Sequence, residues 1–390
     1  MEHGRFKGAL IIAFAFAVVC GFILTPVGPL ETWIVDDLSI SHGGAGLMQS
    51  AFMMGNVAGS LVAGGIFRVT RAKAFGVISL LATAAGSILA GIKCYEVVLI
   101  GRFATGLGNA GSLIFFSTII VSSFRRRQGV LLSVLHAVLA AGAVLMLVMA
   151  RPLGVYAGSW SAPFWITGGM AFCVAAWLAW SVLPEAPPAD RVRIAAVGKI
   201  IRHPVVLASL LLLVGYTVAE QALTTFFPAF AEEERQFSVG TAARTAAMYW
   251  LGIGLGRLAS AFIARKAAEQ WVIIVSALIG SILFACSVLA RQNVVLMAAV
   301  FLAGCAIGPI IPLGVSYVVK RVGYLEATVI SICNIVCCLG GALGAATAGY
   351  VADRHSLQAG LGGSYLVFFV GILPLLWVSV REAGVSGRAE

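Results

Sequence analysis

A stripe of polar side chains runs through the apolar segment between residues 204 and 229, and it contains the acid Glu220. A charge at the bilayer centre costs at least about 2.5–3.5 kcal/mol on insertion scales, so an acid in such a segment is a first candidate for function. A buried carboxyl group that binds and releases a proton suits proton coupling; the alternatives are a structural carboxylate or one near the outer water. The stripe has helical spacing and consists of Tyr216, Thr217, Glu220, Gln221, Thr224 and Thr225.

Three basic side chains also lie within apolar segments. Arg102 stays charged and offers a fork of donors, so it either pairs with a carboxylate or anionic cargo, or holds backbone carbonyls of neighbouring helices. The nearest acid that would serve as its partner is Glu31. His136 is a proton relay or a satisfied cavity histidine, and Arg257 takes part in gating or extends to the membrane interface. We therefore assign proton coupling or charge compensation to Glu220, Arg102 and His136.

Other polar and aromatic side chains in apolar segments are candidates for cargo contact or conformational change. A single buried amide either bonds cargo or locks helices together, and a tyrosine or tryptophan offers a ring with a polar tip. Pro309 and Pro312 remove backbone donors and bend their segment, which we associate with gating. The predicted cargo cavity consists of Asn56, Asn109, Thr217, Gln221, Thr224, Tyr249, Trp250 and Asn334.

The composition of the whole chain indicates the class of protein that positions these residues. Of its 390 residues, 60% are hydrophobic and only 11% are charged, and the mean hydropathy is +1.00. Soluble domains carry about 45–50% apolar and about 25% charged residues. A water-soluble enzyme is therefore excluded, and the long unbroken apolar runs lack the alternation of a β-barrel. The sequence predicts an all-α membrane protein.

Several kinds of site have no motif in the sequence. There is no GxxxxGK[ST] motif of an ATP-driven pump, no HExxH and no paired-carboxylate site. The eight cysteines show no zinc or disulfide spacing, so we expect neither a metal ion nor a cofactor. The net charge of +10 is explained by basic loops beside membrane segments, and we expect no nucleic-acid partner. The sequence predicts that the protein is not an enzyme.

Twelve apolar segments are long enough to cross a bilayer. Lys and Arg are in a roughly threefold excess in the loops on one side, which places both termini in the cytoplasm of a bacterial-type inner membrane. The segments are approximately 8–30, 44–67, 74–93, 96–123, 129–150, 162–183, 204–229, 243–264, 270–290, 293–319, 327–351 and 363–382.

The longest polar interruption divides the chain into an N-terminal half, 1–183, a cytoplasmic linker, 184–203, and a C-terminal half, 204–390. The end of the linker is either a short amphipathic helix on the inner leaflet or plain solvated chain. The two halves resemble each other. FMMGNVAG, starting at Phe52, aligns with YWLGIGLG, starting at Tyr249, and FATG aligns with FLAG at nearly the same offset. Such repeats recur in secondary transporters.

The segment LIGRFATGLGNAG resembles the fourth-helix motif of the major facilitator superfamily, with Arg102, Gly106 and Gly108 at the matching positions. Where many members have glutamine, this chain has Thr105. The loop GGIFRVTRAK occupies the place of the superfamily's other loop motif and implies a gating role for its residues. Arg68 stands there in place of the usual aspartate. The matching loop residues are Gly64, Arg68, Arg71 and Lys73.

The resemblance implies a twelve-helix fold of two pseudo-symmetric six-helix halves that works by alternating access. GYTVAEQALTTFFPAF, YWLGIGLGR and AIGPIIPLGVSY look like the fucose-permease-like branch, which imports sugars with protons. The Gly-Pro signature of drug/proton antiporters is absent from residues 129–150.

We therefore expect a monomeric, proton-coupled symporter of a small polar solute, a sugar or an organic acid, embedded in the lipid bilayer. One alternative is proton-driven efflux of amphipathic compounds. Another, from a different class, is a non-transporting receptor or scaffold with the same fold. The short loops and the lack of a soluble domain in the sequence favour transport over a scaffold.

Overall fold

In the computed structural model the described residues, 2–66, 72–124, 128–182, 194–263, 267–323 and 326–386, are almost entirely helical and include no strand. Long apolar runs form helices in lipid because a helix satisfies its own backbone hydrogen bonds. In chain order the helices are α1 Glu2–Leu24, α2 Val27–Leu38, α3 His42–Ile66, α4 Ala72–Ala90, α5 Tyr95–Ser123, α6 Gln128–Ala157, α7 Ala162–Trp180, α8 Ile194–Ile201, α9 Pro204–Glu233, α10 Val239–Ile263, α11 Glu269–Leu289, α12 Asn293–Ile307, α13 Ile310–Val322, α14 Glu326–Arg354 and α15 Leu357–Ser386.

These helices form twelve spans in two halves. Among the described residues nine helical segments are long and apolar enough to cross a membrane, with α12 and α13 counted together, and the bent pair α1 and α2 is a tenth. The remaining two spans, α3 and α10, are less apolar because they are rich in glycine and carry polar residues. They pack against neighbouring helices of the bundle. The predicted all-α fold of twelve membrane helices is confirmed.

The first span differs from its prediction, 8–30, because it breaks after Leu24 and continues as α2 to Leu38 at an angle of 42°. Pro26 lacks a backbone donor and its ring clashes with the preceding turn, which ends a straight helix. The hydroxyl of Thr25 donates to the carbonyl of Ala143 in α6 and so fixes the break against a neighbouring helix. The chain therefore reaches further at this end than the hydropathy pattern indicates.

The tenth span has the interruption that its two prolines predict. Helix α12 ends at Ile307 and α13 begins at Ile310, with Pro309 between them and Pro312 in the first turn of α13. The two helices still count as one span. Within the described residues the 42° bend at Pro26 is the one that exceeds 40°.

Glycines bring matching helix pairs into close contact in both halves. A Cβ added at Gly106 of α5 would clash with the carbonyl oxygen of Phe52 in α3. A Cβ at Gly304 of α12 would clash with the carbonyl oxygen of Tyr249 in α10. These four residues occupy equivalent positions in the aligned repeat segments, so the repeat seen in the sequence corresponds to the same backbone packing.

The N-terminal half comprises α1–α7 and the C-terminal half comprises α9–α15. Helix α8, 194–201, stands between them and agrees with the helical alternative for the linker. Residues 183–193 lie outside the described residues, so the exact bounds 1–183, 184–203 and 204–390 stay predictions. We call the end of the bundle opposite both termini the distal end; there α2 leads to α3, α9 ends and α14 leads to α15.

The two halves contact each other through several polar bonds near the distal end. The backbone N–H of Gly43 in α3 donates to the Asp353 carboxylate at the end of α14, over 3.0 Å. The Ser50 hydroxyl, two turns further along α3, donates to the Ala342 carbonyl over 2.7 Å. The bundle is therefore closed at its distal end.

Candidate functional site

Arg102 lies in the second turn of α5 and is only 1% exposed. Its guanidinium donates from Nη1 to the carbonyl oxygen of Ile23, 3.1 Å away, and from Nη2 to Oε1 of Gln49, 2.7 Å away. The guanidinium also lies over the Phe52 ring, 4.5 Å from its centroid. In the part of the chain that the structure describes, no carboxylate forms an ion pair with Arg102.

Gln49 connects Arg102 to the other half of the protein. Its side chain is 1% exposed, and its Nε2 donates to Oε1 of Gln221 in α9, 2.8 Å away. Gln221 is adjacent to Glu220 in the chain, and its amide favours the charged form of that carboxylate. Hydrogen bonds thus join Arg102, Gln49 and Gln221, and Gln221 adjoins Glu220; we call these four residues the polar chain. It begins at a cation of the N-terminal half and ends at an acid of the C-terminal half.

Glu220 is 6% exposed and lies in α9, the most buried of the spans. The Tyr216 hydroxyl, one helical turn away, donates to Glu220 Oε1 over 2.6 Å. The charge of Arg257 in α10 also acts on this carboxylate. The carboxyl group therefore has a neutral donor on its own helix, an amide that leads to the other half, and a cation on a neighbouring helix.

An aromatic cluster lies beside Glu220 in the C-terminal half. The rings of Tyr216 and Phe368 pack edge to face with centroids 6.0 Å apart, and those of Tyr249 and Phe284 are 5.9 Å apart. The ring of Trp250 is perpendicular to that of Tyr249. Four polar side-chain atoms of α9 and α10 are buried and have no hydrogen-bond partner in the described residues. They are Thr224 Oγ1, Thr225 Oγ1, Tyr249 Oη and Trp250 Nε1.

Two amides assigned to the cargo cavity bond each other instead. Asn109 Nδ2 donates to Asn56 Oδ1 over 2.9 Å, and Asn56 Nδ2 donates to the Phe52 carbonyl of its own helix over 2.9 Å. Both side chains are less than 9% exposed and join α5 to α3 inside the N-terminal half. This geometry matches the helix-locking alternative of the sequence analysis.

Two other predicted cavity residues contact neighbouring helices. The Thr217 hydroxyl donates to the Leu213 carbonyl and lies against Gly340 of α14, where a Cβ would clash with it. Asn334 Nδ2 donates to the Ser60 hydroxyl over 3.1 Å, and this bond joins the two halves near an exposed surface. Neither side chain lies in the aromatic cluster.

His136 lies in α6 and Arg257 in α10, two helices that pack against each other. His136 Nδ1 is 2.8 Å from the Leu132 carbonyl of its own helix, and the charge of Arg257 acts on the imidazole. The charge of Arg257 also acts on Glu220 and therefore affects both the imidazole and the carboxylate. Arg257 is half-buried and directly follows Gly256 in α10.

The loop motif is only partly described. Arg68 and Arg71 lie outside the described residues, and Gly64 lies at the end of α3. Lys73 Nζ donates to the carbonyl of Ser181, which follows α7, so in this structure it binds within its own half. Gly108 of α5 faces Ser79 and Thr83 of α4, where a Cβ would clash.

Sequence reasoning missed Gln49 and expected a different partner for Arg102. Glu31 bonds His42 at the distal end instead of Arg102, because the break at Pro26 carries α2 away from the arginine. The available signal was a single glutamine in an apolar span, one turn before Phe52 and two turns before Asn56 on the same helical face.

The sequence profile of the Major Facilitator Superfamily matches residues 10–345. The chain belongs to this superfamily. The match covers most of both halves, including the polar chain and the repeated glycines. A search of curated proteins found no individual sequence that matches.

Solved structures of superfamily transporters share this fold at low sequence identity. A bacterial homologue of the human lysosomal transporter Spinster, in an inward-facing and occupied conformation, superposes with a TM-score of 0.79 at 15% identity, covering 96% of this chain and 97% of that one. The nucleoside transporter NupG gives 0.72 at 14% identity, with 96% and 98% covered. The transporter FucP in an outward conformation gives 0.66 at 20% identity, with 95% and 98% covered.

Proposed function

We propose that this superfamily member is a proton-coupled secondary transporter of a small polar solute, a sugar or an organic acid, in which Glu220 carries the proton. The observation that supports this most strongly is the polar chain, which connects Glu220 to Arg102 across the two halves. The family and the structural neighbours support transport in general. The cargo, the coupling and an inner membrane with both termini in the cytoplasm belong to the proposal.

The polar chain couples the proton to the contact between the halves because its ends fix the direction of every hydrogen bond. Arginine only donates, and an ionised carboxylate only accepts. The two amides between them are therefore held with their oxygens toward Arg102 and their nitrogens toward Glu220. A proton on Glu220 removes its charge and replaces an acceptor by a donor. The chain is then weakened, and the state that is closed at the distal end loses stability relative to an open one.

Cargo recognition is assigned to the groups beside Glu220. The buried Tyr249 hydroxyl and Trp250 indole nitrogen are donors without partners in the described residues, and a buried unsatisfied donor costs about 1–3 kcal/mol. A solute with hydroxyl or carboxylate oxygens would satisfy them while its apolar face packs on the rings. The uncompensated cation Arg102 favours an acid, and the ring surfaces favour a sugar. A thermal-shift screen of sugars, organic acids, nucleosides and cationic drugs separates these classes, because a ligand of the folded state raises the melting temperature.

Replacing Glu220 by glutamine tests the coupling. In liposomes that contain the purified protein and the solute found by the screen, Glu220→Gln is expected to abolish accumulation driven by a pH gradient. Exchange of labelled for unlabelled solute should continue, because the neutral side chain imitates the protonated acid. The matched control is Glu234→Gln, which neutralises another acid of the same sequence region at the distal end.

Proton-driven accumulation that survives in Glu220→Gln would contradict the coupling role. Stabilisation in the screen by bulky amphiphiles alone would contradict the polar-solute assignment and point to efflux. Binding without any flux in liposomes would contradict transport and point to a receptor.

A further inference from the structure

Three side chains from the two halves meet at the distal end. They are Glu31 of α2, His42 at the start of α3, and Glu233 at the end of α9. His42 Nδ1 lies 2.7 Å from Glu31 Oε1, and His42 Nε2 lies 3.6 Å from Glu233 Oε2. One nitrogen of the histidine and one oxygen of each carboxylate lie within 4.8 Å of one another. We call these residues the distal triad.

One ligand atom of the triad is buried and unused. The Glu31 side chain is 0% exposed, and its Oε2 has no hydrogen-bond partner in the part of the chain that the structure describes. Burying a carboxylate oxygen without a partner costs free energy, and a bound cation or a hydrogen-bond donor would remove this cost. The other two side chains provide access, since His42 is 22% exposed and Glu233 is 44% exposed.

The surroundings of the triad are acidic. Asp353 of α14 acts on His42, and Asp36 of α2 and Glu234 act on Glu233. The cation Arg151 acts on Glu232, the neighbour of the triad, and its Nη1 donates to Thr32. Negative charge thus accumulates around the three ligand atoms on several elements. A small multivalent cation neutralises such a site better than the single charge of a protonated histidine.

We propose that the distal triad binds a divalent transition-metal cation of the zinc type and thereby joins the two halves at the distal end. A histidine nitrogen with two carboxylate oxygens is a donor set that zinc accepts, and water fills the fourth position. Tetrahedral bonds of about 2.0–2.2 Å place ligand atoms about 3.3 Å apart, which is within the 4.8 Å that encloses one ligand atom from each residue of the triad. Small side-chain shifts suffice to form the site.

The bound cation keeps the distal end closed and thereby inhibits transport. Glu31 and His42 belong to the N-terminal half and Glu233 to the C-terminal half, so a cation that holds all three must leave before the distal end opens. Inhibition of transport by zinc rests on the function proposed above, whereas binding of zinc does not. A measurement of binding on the purified protein is therefore separate from the transport assay.

Zinc binding is measured by competition with a chromophoric chelator at neutral pH, using full-length protein purified without a histidine tag. A Cys94→Ala background removes an exposed thiol at the same end, because thiols are a side-chain type that zinc also accepts. The background protein is expected to bind one zinc ion saturably and to gain thermal stability from it. His42→Gln and Glu233→Gln should each weaken the affinity at least about tenfold. Magnesium should not compete.

His355→Gln is the matched control, because it removes an exposed histidine at the distal end that is not part of the triad. Its zinc affinity should equal that of the background protein. Glu233 is partly exposed, so Glu233→Gln tests the site without disturbing a buried group. The proposal is overturned if no saturable zinc binding occurs, in which case the triad is an ion pair only. Equal loss of affinity in His355→Gln and His42→Gln would also overturn it.

Discussion

The two halves share the same close packing of helices but differ in the side chains that lie between those helices. In the N-terminal half Asn56 and Asn109 bond each other between α3 and α5. The equivalent positions of the aligned repeat in the C-terminal half are Ile253 and Ile307, both fully buried. Arg102 corresponds in the same way to the buried Val300. The glycine contacts are retained, so the repeat preserves helix packing while the side chains between the helices have diverged.

This difference assigns separate tasks to the halves. The N-terminal half contains the cation Arg102 and an amide pair that holds its own helices together, and its Gln49 bonds across the junction between the halves. The C-terminal half contains Glu220 and the aromatic cluster, in which Tyr249 Oη and Trp250 Nε1 have no hydrogen-bond partner in the described residues. A fold with two similar halves can therefore carry asymmetric chemistry, and in our account the junction between the halves is where cation and acid are connected.

The largest effect is expected from filling the glycine contacts that both halves share. Gly106→Val and Gly304→Val each drive a side chain into a backbone carbonyl of the facing helix, which cannot move aside as a flexible side chain would. Each should destabilise the protein by about 3 kcal/mol or more. Thermal unfolding in detergent measures the loss.

Gly169→Val in α7 is the matched control, because nothing lies within 4 Å of a Cβ at that position. It should leave the melting temperature nearly unchanged. If Gly304→Val were tolerated while Gly106→Val was not, the equivalence of the two halves would be wrong.

A smaller effect is expected from giving the N-terminal half the side chains of the C-terminal half. Asn109→Ile alone leaves the Asn56 amide oxygen buried without its donor and should cost about 1–3 kcal/mol. Asn56→Ile combined with Asn109→Ile removes both partners, as in Ile253 and Ile307, and should recover most of that loss. Melting temperatures of the two single variants and the double variant test this.

Additive losses in the double variant would show that the two amides do not depend on each other. Loss of solute binding without loss of stability would instead favour the cargo role that the sequence first suggested for these amides.

The fold was largely predictable because it depends on repeated local patterns. The apolar runs gave the twelve spans, and the aligned glycines Gly55 and Gly252 marked the helix pairs that pack closely. The break at Pro26 was missed because hydropathy continues smoothly through it, although the proline itself was the signal.

The candidate site was less predictable because its contacts join distant parts of the chain. Arg102 and Glu220 were recognisable as costly charges in apolar spans, but nothing local shows that Gln49 and Gln221 connect them. The distal triad is equally hard to predict from the sequence, because His42 and Glu233 belong to different halves. The type of residue was enough to identify Arg102 and Glu220 as candidates. Their partners depend on how the two halves pack together, which the sequence does not show.

The most direct test of the central claim is hydrogen–deuterium exchange of the wild type and Glu220→Gln at the same pH, with Glu96→Gln as a control for loss of an exposed acid. Our account predicts that Glu220→Gln, which imitates the protonated acid, speeds exchange in the distal segments of α3, α9 and α14 by about tenfold. The control and the remaining helices should exchange as in the wild type. Equal exchange in the wild type and Glu220→Gln at these segments would contradict the claim that the proton on Glu220 loosens the junction.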